Sequence, residues 1–165
     1  ATEDTFITIQ WDDVTGAVYY DIEVDGQITA DVSNPYVHSG LLPGNAYVYR
    51  IRAKNSSGAG KWSEEHTKWT LPDIVKNIDY SASQHDITLS WQQVVSAMGY
   101  DVLMDGVLLE DVSSPYTFED LLPGKMHKFN IRAVNSSGKG KWNDELIVWT
   151  LPDIPQNIRA TAAND

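Results

Sequence analysis

The stretch IRAKNSSGAGKW at residues 51–62 returns, with few changes, as IRAVNSSGKGKW at residues 131–142. Residues 1–80 can be laid over residues 81–160 without a gap, so this chain of 165 residues contains a duplicated unit. A period of this length is too long for a helical solenoid repeat and suits a complete small domain. Other segments keep the same spacing: ITIQW at 7–11 with ITLSW at 87–91, LLPG at 41–44 and 121–124, and WTLPDI at 69–74 and 149–154.

Composition narrows the class of protein. The sequence holds 23 acidic and 12 basic residues, for a net charge of −11, and such a surface repels the phosphates of nucleic acids. It has no cysteine, and no apolar run approaches the roughly 20 residues that span a bilayer. We therefore expect a globular protein with no disulfide, no nucleic-acid partner and no membrane insertion.

Short alternating runs predict β-strands throughout each unit. Apolar and polar residues alternate over residues 20–24, and this period of two is typical of a half-buried strand. Asp25-Gly26 follows directly and Asp105-Gly106 repeats it, a dipeptide that favours a two-residue hairpin because both central residues need positive φ. The prediction is an all-β fold of two tandem immunoglobulin-like β-sandwiches, each with seven strands.

The motifs of each unit resemble those of the fibronectin type III family. In the first unit they are Trp11 at the end of a strand, a Leu-x-Pro-x-x-x-Tyr stretch that ends at Tyr47, and a Gly-x-Trp-Ser step at residues 60–63. The resemblance covers essentially the whole chain and implies strands A, B and E in one sheet and C, C′, F and G in the other. It points to modules of the kind found in bacterial extracellular glycoside hydrolases and surface proteins.

The resemblance also implies domain boundaries. The first module is expected at residues 1–73 with a truncated strand A, the second at residues 74–153, and residues 154–165 are expected to be an orphan strand A of a following module. The segment at 74–80 looks like strand A, and its equivalent is missing before the first module. Because the connection at 71–74 is short and stiffened by proline, we expect a semi-rigid end-to-end rod with a small interface.

Four side chains have a predicted structural role. Trp11 and Trp91 are expected in the core between the sheets. Tyr47 fits the tyrosine corner, in which a phenol bonds to the backbone a few residues upstream. His127 takes that position in the second module, where an imidazole could donate a hydrogen bond in the same direction. If this imidazole is buried and neutral, we expect the second module to be the less stable one at low pH.

The sequence offers no convincing catalytic or metal-binding constellation. Asp12 and Asp13 are adjacent, and neighbours on a strand point to opposite faces, so they are not expected to cooperate as acid and base. The carboxylates between Asp21 and Asp31 lack the spacing of a calcium loop, and the histidines lack zinc-site spacing. We predict no enzyme activity, no cofactor and no metal.

Each unit carries two further tryptophans near one sheet. Trp62 and Trp69 in the first unit, with Trp142 and Trp149 in the second, form the candidate ligand face. Exposed aromatic rings can stack on sugars. The alternative is a structural ladder, in which the rings pack against neighbouring arginine and lysine stems.

The favoured function is a non-catalytic spacer or interaction module pair of an extracellular bacterial multidomain protein, secreted or at the cell surface, which holds catalytic or adhesive domains apart. The alternatives are a carbohydrate-binding module pair and a protein-adhesion segment of a eukaryotic receptor. The expected partners are adjacent domains of the parent chain, and a cell-surface protein or polysaccharide. One further partner is a second copy, because residues 155–161 of one molecule could add to the edge beside strand B in the first module of another, head to tail.

Overall fold

The computed structural model of the protein describes residues 5–162, and within them every regular element is a β-strand. The first module consists of β1 (Thr5–Ile9), β2 (Tyr19–Val24), β3 (Gln27–Val32), β4 (Tyr36–Leu41), β5 (Ala46–Asn55), β6 (Gly58–Ala59) and β7 (His66–Trp69). The second consists of β8 (Asp79–Ala82), β9 (Ile87–Ser90), β10 (Gly99–Met104), β11 (Val107–Val112), β12 (Tyr116–Phe118), β13 (Met126–Asn135), β14 (Gly138–Lys139) and β15 (Leu146–Trp149).

Each module has two antiparallel sheets. In the first, β1 pairs with β4, while the second sheet has the order β3-β2-β5, with β6 and β7 both on β5. In the second, one sheet has the order β12-β9-β8 and the other the order β11-β10-β13, with β14 and β15 both on β13. The second module therefore has the expected arrangement, A-B-E in one sheet and C-C′-F-G in the other. The predicted all-β fold of two sandwiches is confirmed.

The predicted hairpins form as two-residue turns. Asp25 and Gly26 have φ of 47° and 83°, and Asp105 and Gly106 have φ of 50° and 86°. Positive φ at both central residues matches the right-handed twist of the strands, so β2–β3 and β10–β11 are tight hairpins.

Strand A of the second module is shorter than predicted. The strand begins at Asp79 and not at Ile74, because Asn77 has a φ of 52°, which interrupts the extended chain. Val75 is nevertheless only 3% exposed. Residues 151–162 form no strand. Residues 1–4 and 163–165 lie outside the described residues, and so do those parts of the truncated and orphan strand predictions.

The two modules fill equivalent core positions with different chemistry. In the first, His38 Nδ1 lies 3.0 Å from the hydroxyl of Tyr49, which is 2% exposed. Burial raises the pKa of that phenol well above its ordinary value, with nearby Asp25 adding to the shift. In the second module the corresponding pair is Phe118 and Phe129, whose ring centroids are 5.0 Å apart. The first core therefore depends on a hydrogen bond at a position where the second depends on ring packing.

A buried threonine closes the end of each module. Thr150, 2% exposed, donates from its hydroxyl to the carbonyl of Leu122 at 2.7 Å and accepts from the N–H of Lys125 at 2.9 Å. Its own N–H donates to the Lys125 carbonyl at 2.9 Å. The end of β15 is thus tied to the turn that precedes β13. Thr70 makes the same set of bonds in the first module, to Leu42 and Asn45.

Thr150→Val is expected to destabilise the protein by about 1 kcal/mol, because valine has the shape of threonine but removes two part-buried hydrogen bonds to the backbone of Leu122 and Lys125. The measurement is urea denaturation of the full chain, followed by tryptophan fluorescence. Thr150→Ser keeps the hydroxyl and is the matched control. A valine variant as stable as the serine variant would contradict the role of this hydroxyl.

Candidate functional site

The outer face of the β3-β2-β5 sheet in the first module carries a network of ion pairs. Cross-strand register places Asp21 opposite Arg52 and Glu23 opposite Arg50. Arg50 binds Glu23 in a bidentate geometry: Nε donates to one carboxylate oxygen and Nη2 to the other, both at 2.9 Å. Arg52 Nε donates to Asp21 at 2.9 Å, and Lys54 Nζ lies 2.7 Å from the other Asp21 oxygen. Two carboxylates and three cations are thus paired across two neighbouring strands.

Asp21 is the buried centre of this network. It is only 2% exposed, and burial alone would raise the pKa of its carboxyl. Hydrogen bonds from Lys54 and Arg52 outweigh that effect and hold its pKa below the ordinary value. Lys54 also reaches Asp31 at 2.8 Å. Three of the carboxylates considered for calcium, Asp21, Glu23 and Asp31, therefore pair with the protein's own cations. The described residues contain no cluster of three or more potential metal ligands.

The Trp62 ring is covered by the same two arginines. The guanidinium carbon of Arg52 lies 4.5 Å from the ring centroid, and that of Arg50 lies 5.4 Å from it. A cation over an aromatic face is attracted by the ring quadrupole. The geometry around Trp62 is that of the structural ladder, in which the ring face is occupied by the chain itself.

The tryptophans of the last strands lie in a different setting. Trp69 on β7 is 39% exposed, and Trp149 on β15 is 59% exposed. Register places Trp149 opposite Met126, itself 42% exposed, whereas Trp69 lies opposite Ala46. Trp142, the equivalent of Trp62, is partly buried and has interactions of its own. Within each module, the two predicted ligand-face tryptophans thus lie in different settings.

Trp11 and Trp91 pack edge-on against a tyrosine of the facing sheet. The ring centroids of Trp11 and Tyr20 are 5.2 Å apart, and those of Trp91 and Tyr100 are 5.3 Å apart. Trp91 is 7% exposed and Trp11 is partly buried. This geometry is the one expected of aromatic pairs in a core between sheets.

The two corner residues do not behave alike. The hydroxyl of Tyr47 accepts from the N–H of Leu42, five residues upstream, at 3.1 Å. His127 instead places Nδ1 2.7 Å from the Asp105 carboxylate, and within the described chain its buried Nε2 has no hydrogen-bond partner. The predicted bond in the tyrosine direction is therefore not made. Asp105 sits in the hairpin turn, which the fold brings alongside β13.

The sequence analysis did not single out Thr70 and Thr150, the buried threonines that tie the last strand of each module to a turn. Their signal was present, because WTLPDI is repeated unchanged while neighbouring segments differ. It also missed Asn135, a buried amide whose Nδ2 donates to the Thr70 carbonyl at 2.9 Å and whose Oδ1 accepts from the Ser137 N–H at 2.9 Å.

The family model for the fibronectin type III domain matches residues 1–69 and 73–149. The chain therefore belongs to the fibronectin type III family. In particular, it is a tandem pair of these modules. No helix in the described part of the chain is long and apolar enough to cross a membrane.

Similar proteins are found among long animal proteins. The chain is 29% identical to human neogenin over 96% of its own length, and 27% identical to mouse protein sidekick-1 over 76% of its length. It spans 13% of the first relative and 7% of the second. A solved segment of two fibronectin type III domains from chicken tenascin matches 89% of this chain and 93% of that chain, with a TM-score of 0.52 and 19% identity. This last likeness concerns the fold.

Asp105→Asn is expected to lower the stability of the second module at neutral pH and to flatten its loss of stability in acid. Burial raises the pKa of the Asp105 carboxyl, but hydrogen bonds from the Lys128 N–H and His127 outweigh it and lower the pKa below its ordinary value. A carboxyl with a lowered folded-state pKa contributes stability above its unfolded pKa, about 3.9, and loses it as pH falls through the folded value.

Hydrogen exchange of the full chain measures the local stability of the second module in peptides of β10 and β13. The measurement runs from neutral pH to about pH 3, which is below the unfolded pKa of aspartate. Asp25→Asn is the matched control, because Asp25 accepts from the Val48 N–H at 2.9 Å in the equivalent turn. The position equivalent to His127 is Tyr47 in the first module, so Asp25 has no histidine partner there. Equal acid sensitivity of wild type and Asp105→Asn would contradict the prediction.

Proposed function

We propose that this module pair is a non-catalytic spacer and interaction segment of an extracellular multidomain protein. The observation that carries the proposal is the closed sheet face of the first module, where Arg50 and Arg52 cover Trp62 and pair with Glu23 and Asp21. On this face the charged groups are paired with one another and the Trp62 ring is covered by arginine. Such contacts stabilise the module and leave few groups available to bind a ligand. The long relatives support a place beside other domains, which are the first expected partners.

The location is proposed as extracellular, secreted or at a cell surface. The bacterial, glycoside-hydrolase-associated origin gains no support from the relatives named above, which are animal proteins. The proposal therefore rests on the broader class of extracellular module arrays. A cell-surface protein or a polysaccharide is the external partner that such an array would meet.

Carbohydrate binding is the second candidate, and the exposure of Trp149 favours it. This ring is 59% exposed, and Ile147 on the same strand is 47% exposed. Trp69 supplies a smaller exposed ring in the first module. An exposed indole beside apolar side chains is the surface on which a sugar ring stacks.

A binding and turnover panel separates the two functions. The spacer proposal predicts no retention of the full chain by insoluble polysaccharides in affinity electrophoresis, and no release of product from aryl glycosides. Trp149→Ala and Trp69→Ala should then behave as the wild type does. Retention that Trp149→Ala abolishes, while the exposed control Phe6→Ala keeps it, would establish the carbohydrate alternative. Turnover of any glycoside would contradict the non-catalytic proposal.

A second copy of the chain is a further proposed partner, through residues 155–161. Among residues 5–162, β1 pairs only with β4, so its other edge has backbone groups with no strand partner. In the second module the same edge is taken by β8, with Tyr80 opposite Leu89. The repeat places Ala160 opposite Ile9 in the same way. Strand addition to such an edge satisfies its backbone groups.

Deleting residues 155–165 is expected to lower the weight-average mass measured by light scattering at high protein concentration. The control replaces the same residues with a Gly/Ser sequence of equal length, which keeps the chain length but cannot supply the apolar strand residues. An unchanged mass for the deletion would rule out the strand addition. A mass lowered by deletion but not by replacement would show that sequence does not matter, and would contradict it as well.

A further inference from the structure

A cavity of about 320 Å³ opens between two loops of the first module. One loop joins β1 to β2, and the other joins β5 to β6. Residues 14–17 and nearly all of residues 53–60 line it, and most of them are glycine, alanine or serine. Small side chains leave backbone groups within reach of an incoming segment. The spacer role makes no use of this cavity.

The duplication supplies a filled counterpart of this cavity. The first compact unit of the fold runs to Ile74 and includes Val94–Gly99 and Arg132–Lys141. These last two segments are, by the repeat, the equivalents of the loops that line the cavity. Inside this compact unit they hold residues 70–72, the Thr-Leu-Pro of the first WTLPDI.

Three contacts define how the filled counterpart holds that segment. Asn135 Nδ2 donates to the Thr70 carbonyl at 2.9 Å. A Cβ built on Gly138 would lie 3.2 Å from Cδ2 of Leu71, so the leucine packs directly on this glycine. A Cβ built on Gly140 would lie 2.9 Å from the carbonyl oxygen of Pro72, a separation that a real side chain cannot tolerate.

Burial distinguishes the filled site from the open one. Asn135 is 7% exposed and Gly140 is buried, whereas their equivalents Asn55 and Gly60 are both exposed. The residues themselves are the same, since Asn, Gly and Gly occur at positions 55, 58 and 60 just as they do at 135, 138 and 140. The second WTLPDI is identical to the first, but Pro72 is buried and Pro152 is exposed.

We propose that the cavity of the first module binds residues 150–152 of a second copy of this chain. The Asn55 amide would donate to the Thr150 carbonyl, Leu151 would pack on Gly58, and Pro152 would lie against Gly60. The receptor and the ligand of this contact are different surfaces, so the association is heterologous and grows head to tail. It involves other residues than the strand addition proposed above, and it does not depend on the spacer role.

Cross-linking between two differently labelled chains tests the contact, and the absence of cysteine makes the labelling specific. One chain carries Ser57→Cys beside the cavity, and a ¹⁵N-labelled chain carries Asp153→Cys just after the docking segment. The mixture is treated with a short bismaleimide at about 0.15 M salt, where the Debye length of about 8 Å screens the acidic surfaces. Mass spectrometry identifies the mixed dimer. It should exceed the dimer formed when Val107→Cys, on exposed β11, replaces Asp153→Cys.

Gly60→Ala supplies the matched control, because the substitution can be placed on either chain. A Cβ at Gly60 would lie 3.3 Å from the Ala53 carbonyl, which a slight shift accommodates, so the variant should fold with a nearly unchanged melting temperature. On the Ser57→Cys chain it should lower the mixed dimer by about tenfold, since the methyl group enters the space of the proline carbonyl. On the Asp153→Cys chain it should have no effect.

Three results would overturn the proposal. One is a mixed dimer no more abundant than with Val107→Cys. The second is a yield of mixed dimer that Gly60→Ala leaves unchanged when placed on the Ser57→Cys chain, or lowers equally on either chain. The third comes from an Asp153→Cys chain that lacks residues 155–165. If this chain no longer cross-links, the association belongs to the strand addition and not to the cavity.

Discussion

A single buried hydroxyl at the end of the last strand fixes the form of each module. Thr70 and Thr150 both donate to a carbonyl in the turn before the long central strand, and both accept an N–H from the same turn. The threonine itself is 2% exposed in both modules, and a buried hydroxyl without a partner is costly. The next residue adds one more, as Gly44 N–H donates to the Leu71 carbonyl at 2.9 Å. The direction in which the chain leaves the sandwich is set there, and so is the place of the Leu-Pro step.

The same framework supports two different outer faces. In the first module, Glu23 and Arg50 form a bidentate pair across two strands. Their equivalents in the second module are Leu103 and Asn130, so that pair cannot form there. Asn130 instead donates to the Asn143 carbonyl at 2.9 Å. A duplicated sandwich can change the chemistry of its surface in this way because the backbone hydrogen bonds and the core carry the fold.

Local patterns predicted the parts of the fold that local chemistry decides. The two Asp-Gly hairpins and the alternating strands were correct because turn geometry and period two act over a few residues. The predicted start of β8 was wrong. A single positive φ at Asn77 breaks the strand, and the alternation of residues did not indicate this break. Trp62 could be placed near arginines but not under two of them. The partner of His127 was missed because Asp105 is 22 residues away in the chain, and only the pairing of β10 with β13 brings the two together.

The Leu-Pro step that follows each threonine is not explained by the hydrogen bonds of that threonine. Thr70 and Thr150 are each 2% exposed and satisfy the corner of their own sandwich, which is sufficient reason for their identity. Leu71 and Leu151 are 45% and 53% exposed, so the core of their own module does not require an apolar side chain there. The loops around Asn135 and Gly140 contact Leu71, which stays partly exposed, and bury Pro72, whereas Pro152 is exposed. The loops around Asn55 and Gly60 carry the same glycines and the same amide. Two constraints therefore act on the Thr-Leu-Pro step: a hydroxyl that closes the module, and, at residues 70–72, contacts with the loops around Asn135 and Gly140.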